Sequence, residues 1–339
     1  MTTFKEIRGT AIQVVSSDPS NPETGQIWYN SSSGTLKGYK TVNTWASGGS
    51  LGTGRYSLGG FGTQTAAVAA GGYNTVTPVV INLTSTENYN GTSWTASGSM
   101  ATGRRYLSGI GFGTQTAGAI YGGVTNTTLP QTYSTATEEY DGSTWSSGGT
   151  LNTARGNSGG AGTQTAGITF GGSNATPGGG GPLSSTETYN GTSWTSVNSM
   201  NTARYSLGNA GAGTQTASLA FGGYTTAVTA ATESWNGTSW TSVNSLNTAR
   251  YGLSGAGTQT AALAFGGVNG PGTHQSATEL WNGTSWTSNP TGLTSPKASG
   301  GGCGTQTAAI VFGGYTNTSS PFAPSQEWTG VGIQTITVS

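Results

Sequence analysis

The chain has 339 residues, 60 of them glycine, with only 6% charged and a formal net charge of zero. That neutrality excludes the basic footprint of a nucleic-acid binder, and no apolar run approaches the roughly 20 residues of a membrane helix. Disorder is excluded because 10 Trp, 14 Tyr and 8 Phe can build a core, whereas disordered chains are poor in aromatics and rich in net charge.

Residues Met1 to Arg8 lack the apolar centre of a signal peptide, so synthesis in a reducing cytoplasm, or in a particle assembled there, is expected. Residues 1–40 lie outside the repeats described next and are expected to form an attachment segment. Within them, Pro22 to Asn30 and Gly34 to Tyr39 read as a β-hairpin with Ser31 to Ser33 in the turn.

From residue 41 onward a repeat of about fifty residues dominates. Gly-Thr-Gln-Thr-Ala occurs six times, centred on Gln64, Gln115, Gln164, Gln215, Gln259 and Gln306. A Gly-Gly pair starts seven residues after each glutamine. A glutamate follows at Glu87, Glu138, Glu187, Glu233, Glu279 and Glu327, and then a tryptophan at Trp94, Trp145, Trp194, Trp240 and Trp286. Each unit reads as four strands. Strand a is glycine-rich, as from Tyr205 to Gly211, and strand b is small and apolar, as from Ala261 to Phe265. Strand c carries Glu-x-Tyr or Glu-x-Trp, and strand d starts at the tryptophan. Asn-Gly at Asn90, Asn190, Asn236 and Asn282, or Asp141-Gly142, stands between c and d. It predicts a tight hairpin with both central residues at positive φ, which also accounts for the Asn-x-Thr triplets without glycosylation.

Four-stranded units that taper from glycine to tryptophan suit blades stacked around an axis, with close backbone approach at the hub and indoles at the perimeter. The sixth tryptophan is Trp45, which precedes Gln64 by 19 residues, against 19 to 21 in the other repeats. An N-terminal strand near Trp45 is therefore expected to complete the blade that holds Glu327, removing two free edges. The tail from Gly332 to Val338 alternates like a strand and could compete for that place or add outside it. The expected architecture is an all-β, six-bladed propeller over residues 41–339. A seven-bladed ring using residues 26–45 is the alternative.

The order Arg, Gly-Gly, Glu-x-Tyr, Trp, then Met or Leu before the next Arg resembles the kelch repeat over residues 45–330. The departures are a shorter Tyr-to-Trp step carrying Asn-Gly-Thr-Ser, and Lys297 in place of the last arginine. The N-terminal hairpin resembles those near the ends of tailed-bacteriophage virion proteins, especially tail fibres, and the Gly/Thr/Asn-rich propeller is similar to virion proteins of aquatic phages. These resemblances imply a structural protein of the phage particle that contacts other virion proteins or a host-surface glycan or protein.

The candidate sites divide by symmetry. One acid and one base (Arg55, Arg155, Arg204, Arg250, Lys297, or Arg104 with Arg105) per repeat is a structural pattern, each glutamate accepting from backbone or a repeat arginine. Six equivalent carboxylates single out no glycosidase pair. The glutamines are expected to tie turns together. His274, the only histidine, and Cys303, a core filler of strand a, supply neither a metal site nor the two histidines of a copper radical oxidase, so no metal, cofactor or catalysis is expected. The a–b and c–d turns scarcely vary, whereas the b–c loops vary in length and content and should lie on the opposite end of the ring. A diversified end on a uniform scaffold reads as a recognition face, with Tyr73, Tyr133, Tyr224, His274, Tyr315 and Phe322 as candidate contacts for a neutral glycan. The other readings are an intracellular kelch adaptor and a carbohydrate-active enzyme.

Overall fold

The computed structural model describes residues 12–20, 25–76, 79–107, 111–174, 181–207, 213–270, 272–316 and 321–335. They form two units, residues 45–328 and a smaller one built from residues 1–44 and 329–339. The strands Thr35–Ser50 and Pro324–Thr335 each give residues to both. The expected boundary at residue 40 thus falls at Trp45, and residues from Thr329 onward group with the N-terminal segment. Gly332 to Thr335 continue the strand that begins at Pro324; the end of the expected tail, residues 336–339, lies outside the described residues.

In the smaller unit, Ile27–Asn30 pairs antiparallel with the start of Thr35–Ser50, and Gln13–Val15 adds in parallel. Residues 27–30 therefore lie in a hairpin with residues 35–38. The start of the expected hairpin, Pro22 to Thr24, lies outside the described residues. Asp18, which the sequence reading passed over, anchors this unit. Its carboxylate accepts from Lys37 Nζ at 2.7 Å, Asn30 Nδ2 at 2.7 Å and Trp28 Nε1 at 3.0 Å. These hydrogen bonds, Lys37's first, hold its pKa down to about 2.

In the larger unit each repeat forms one antiparallel sheet in the order a-b-c-d. The first sheet, with strands Gly59–Thr63, Ala66–Ala70, Thr86–Tyr89 and Trp94–Ser97, is representative. In the sixth, Gly301–Gly304 and Ala308–Phe312 are followed by the start of Pro324–Thr335 and by the end of Thr35–Ser50. The inner strands pack in cyclic order, and that of the sixth sheet packs on that of the first. Strand a is rich in glycine because its neighbours leave no room: a Cβ on Gly60 would sit 2.7 Å from Phe312 Cζ.

Two sets of side chains stitch every seam. Each strand-d tryptophan donates its indole N–H to the hydroxyl heading strand c of the preceding sheet. Trp145 reaches Thr86 Oγ1 at 2.9 Å, and Trp45 reaches Thr278 Oγ1 at 2.9 Å. Each glutamine Nε2 donates to one strand-b and one strand-c carbonyl of the preceding sheet. Gln115 takes Ala67 O and Tyr89 O, and Gln64 takes Ala309 O and Trp328 O. Trp45 joins the sixth sheet to the fifth, and Gln64 with Trp94, which reaches Ser325 Oγ at 2.9 Å, joins the first sheet to the sixth; both seams repeat the internal ones, so the two ends of the repeat array meet.

Two local readings are corrected. The c–d connection is a four-residue turn, because Tyr89 pairs with Trp94. Only its glycine is left-handed (Gly91 φ 91°). Asn90 instead uses its side-chain carbonyl to accept from Thr92 N and Ser93 N, both at 2.9 Å, so either Asn or Asp serves there. The second correction concerns Glu327. The residue in register with Glu87, Glu138, Glu187, Glu233 and Glu279 is Gln326, whose Oε1 accepts from Thr294 N at 2.7 Å. Glu327 occupies the following position, which points at the next sheet.

That following position matches its neighbour. Where the next sheet's strand c ends in tyrosine, an acceptor faces the phenol. Glu327 takes Tyr89 Oη, Asn88 takes Tyr140 Oη, and Glu139 takes Tyr189 Oη at 2.6 Å. Where it ends in tryptophan, Thr188, Ser234 or Leu280 stands opposite, and the indole donates to its own a–b turn, as Trp235 does to Gln215 O. Burial and the Glu139 carboxylate raise the Tyr189 phenol to about 12, so it remains a donor. Glu139→Leu is expected to cost about 1–2 kcal/mol by stranding that hydroxyl. Tyr189→Trp in the same chain should recover most of the loss, read as midpoints of urea unfolding.

Candidate functional site

The connection from strand d to the next strand a builds the b–c end of the axis. It starts with the repeat cation, which is buried. Arg155 donates to Glu187 Oε1 at 2.7 Å and to Gly171 O and Ser185 O at the two ends of the b–c loop. Glu187 also accepts from Asn152 N and Thr153 N. Arg55–Glu87, Arg104–Glu138, Arg204–Glu233 and Arg250–Glu279 repeat this pair at 2.6 to 3.2 Å. Burial lowers each arginine's pKa against the opposing pull of its glutamate, Arg204's to about 10, and all stay charged at neutral pH. Lys297 has no carboxylate. It donates to Pro324 O at 3.1 Å and lies 4.5 Å from the Phe322 ring centre.

Two residues after the cation the chain turns left-handed in every repeat. Ser57, Tyr106, Asn157, Ser206, Gly252 and Ser299 have φ between 48° and 59°. Their backbones link around the axis. Ser57 N donates to Ser299 O, Ser299 N to Gly252 O, Gly252 N to Ser206 O, Ser206 N to Asn157 O and Asn157 N to Tyr106 O, all at 2.7 to 2.9 Å. Leu107 N closes the circle onto Ser57 O at 3.0 Å. The belt turns the side chains of its members toward the axis at a strain of about 1 kcal/mol for each residue other than glycine.

Around the belt stand tyrosines. Tyr56 bridges to Tyr73 in backbone register, and Tyr205 to Tyr224. Tyr56 packs edge-on to Tyr73 at 4.9 Å and tilted to Tyr315 at 5.2 Å; Tyr224 packs on Tyr205 at 5.5 Å and Tyr251 at 5.7 Å. Burial, ahead of the neighbouring phenols, raises the pKa of Tyr56, Tyr205, Tyr251 and Tyr315. They are neutral donors across the physiological range. The result is an open cavity of about 330 Å³ lined by Tyr56, Ser57, Tyr106, Asn157, Ser206, Tyr251, Ser299 and Tyr315. No lining residue carries a formal charge. Beneath it, between the inner strands, a separate space of about 60 Å³ is lined mostly by glycine with Phe61, Phe112 and Cys303. Burial raises the Cys303 thiol well above its ordinary pKa.

Of the six expected contact residues, Tyr315 lines the cavity. Tyr73 and Tyr224 stand behind its walls, and His274 packs edge-on to Tyr315 at 4.8 Å. Tyr133 donates to Gln131 Oε1 at 3.2 Å, and Phe322 lies away from the cavity, against Lys297. Arg105 is nearly buried, 5.2 Å from both the Tyr73 and Tyr106 ring centres, and held by Asn82 Oδ1 and Asn126 O. Sequence reading missed Tyr56, Tyr106, Tyr251 and the belt side chains. The signal was available: across the six repeats, the belt position includes Asn157 and Gly252, the residue types that tolerate left-handed backbone. Among the described residues no three His, Cys, Asp or Glu come together as a metal site.

No family model matches the chain, and no curated protein matches it in sequence. Solved structures match its fold. One titled "Structure of YjhT" superposes with a TM-score of 0.67 at 11% identity, over 84% of this chain and 99% of that one. The fold is a kelch-like β-propeller. At that identity the likeness carries the architecture alone, and the cavity at the propeller's b–c end has to be read from its own chemistry.

Proposed function

We propose that the chain is a non-enzymatic recognition propeller of a tailed-phage particle, binding a neutral host-surface glycan at its b–c end. The observation that carries this reading is the axial cavity: tyrosine walls, a hydroxyl and amide floor, and no charged lining. Aromatic faces stack on the C–H faces of a sugar ring while Ser, Asn and phenol groups hydrogen-bond its hydroxyls. Sites of this kind combine apolar walls with a few placed polar groups. The buried ion pairs belong to the scaffold, one in each of five repeats, which takes those five glutamates out of play as a pair of carboxylates across a glycosidic bond. The N-terminal hairpin, similar to hairpins of phage fibre proteins, supports the virion setting.

Two experiments test this. Mass spectrometry of purified phage particles should find the chain, and its absence from particles would remove the virion setting. Titration of the purified protein with neutral oligosaccharides should quench aromatic fluorescence saturably. Tyr56→Ala with Tyr251→Ala should weaken that binding by at least tenfold, since aromatic contacts contribute about 0.5–1.5 kcal/mol per ring beyond the area they bury and about 1.4 kcal/mol is tenfold. Binding unchanged by the double substitution would refute the cavity as the site.

A further inference from the structure

Glycine is the residue that a left-handed backbone position accepts without strain, and the sixth-part symmetry of the belt makes that preference testable against the chain itself. One repeat has glycine there, Gly252 with φ 59°. The other five keep side chains at φ 48° to 56°. The backbone circle does not need them, because its hydrogen bonds run from N–H to C=O and Gly252 makes both of its own. Retained strain therefore points to the side chains, and five of the belt's six members, all but Gly252, line the axial cavity.

We infer that the belt side chains Ser57, Asn157, Ser206 and Ser299 are the specificity-determining floor of the site, and that they read the hydroxyls of a glycan's terminal ring entering end-on. This rests on the glycan reading above and goes beyond it in naming what part of the polymer is bound. The end-on pose follows from the dimensions. The cavity holds about 330 Å³, and its floor is a circle of six backbones joined by hydrogen bonds of 2.7 to 3.0 Å; six chains spaced about 4.8 Å apart leave an axial opening about one side chain wide, into which the belt side chains themselves turn. A chain cannot thread onward along the axis, so it presents an end. Tyr56, Tyr106, Tyr251 and Tyr315 wall that end laterally, and the serine hydroxyls and the Asn157 amide meet it from below. Both can donate and accept, which matches hydroxyl groups that do the same.

The test uses the full chain and linear neutral oligosaccharides of one to six units, built from glucose, galactose, mannose or N-acetylglucosamine. Affinity is expected to rise from one to two units and then stay level within twofold, and to fall at least tenfold when the terminal ring is capped by methylation. The variant Ser57→Gly/Asn157→Gly/Ser206→Gly/Ser299→Gly should melt at the same or a higher temperature than the parent, since each change relieves backbone strain, yet bind at least tenfold more weakly. Affinity that keeps growing with chain length, or glycine substitutions that leave binding intact while Tyr56→Ala/Tyr251→Ala removes it, would overturn the end-on floor and leave the glycan reading standing. No binding by any of these sugars would overturn both.

Discussion

Arg155→Ala is expected to destabilise the propeller by about 3–5 kcal/mol, read as a shift in the urea unfolding midpoint. The guanidinium is fully buried and satisfies Glu187 Oε1, Gly171 O and Ser185 O together. Its removal leaves a buried carboxylate without its counter-charge and Gly171 O without the guanidinium donor, while Ser185 O keeps only the Gly171 N–H at 3.1 Å. Lys297→Met should behave in the opposite way, costing little or adding stability. Lys297 is equally buried but meets one carbonyl and no carboxylate, because Gln326 stands where the other repeats have glutamate. Desolvation lowers its pKa from 10.5 to about 7. Between those values the unfolded chain binds the proton that the folded chain has lost. Stability therefore rises with pH from about 7 to about 10.5 and is level on either side of that window, as far as this group is concerned. Lys297→Met should remove that slope, and Gln326→Glu should flatten it by giving the ammonium a partner. A slope that persists in Lys297→Met would assign it elsewhere, and an Arg155→Ala cost below about 1 kcal/mol would remove the ion pairs from the account of what holds the seams.

The fold was largely legible because every repeat tests the others. Six in-phase copies of Gly-Thr-Gln-Thr-Ala, Gly-Gly and Trp fix strand order and register, and Trp45 in phase predicts the closing strand. The glutamate pattern misled at one point only. Glu327 sits one residue past its expected place, and spacing alone cannot separate Gln-Glu-Trp from Thr-Glu-x-Trp unless the aromatic is aligned first; Trp328 in register with Tyr89 decides it. The cavity was less legible. Tyr73, Tyr224 and Tyr315 stand out because they vary within loops that vary. Tyr56, Tyr106 and Tyr251 follow the repeat cation and read as the opening of strand a, where an aromatic would be ordinary. What turns them to the axis is backbone conformation. Serine at φ near 50° carries no compositional mark, so Ser57, Ser206 and Ser299 become visible only through Gly252 and Asn157 at the same repeat position.

Ring closure gives the other large effect. Trp45→Ala should cost about 3–5 kcal/mol, the range for deleting a buried large aromatic, while Trp45→Phe, which keeps the packing against Phe265 at 4.8 Å and Trp328 at 5.4 Å but loses the bond to Thr278, should cost about 1 kcal/mol. Trp194→Ala is the control, since Trp194 makes the same bond to Thr137 in an internal seam. The two differ in connectivity. In the third sheet, strand d follows strand c through a four-residue turn, so a weakened strand remains tethered beside its partner. In the sixth sheet, strand d comes from residues 45–50 and strand c from residues 324–328, and no short turn joins them. Loss of Trp45 should therefore release that strand locally before the other sheets unfold, and Trp194→Ala should lower global stability without a local opening. Hydrogen exchange resolved by peptide reads the difference. Protection in Trp45→Ala should fall first over residues 45–50, 278–281 and 324–328. Uniform loss of protection in both variants would mean that the closing seam is no weaker a point than any other.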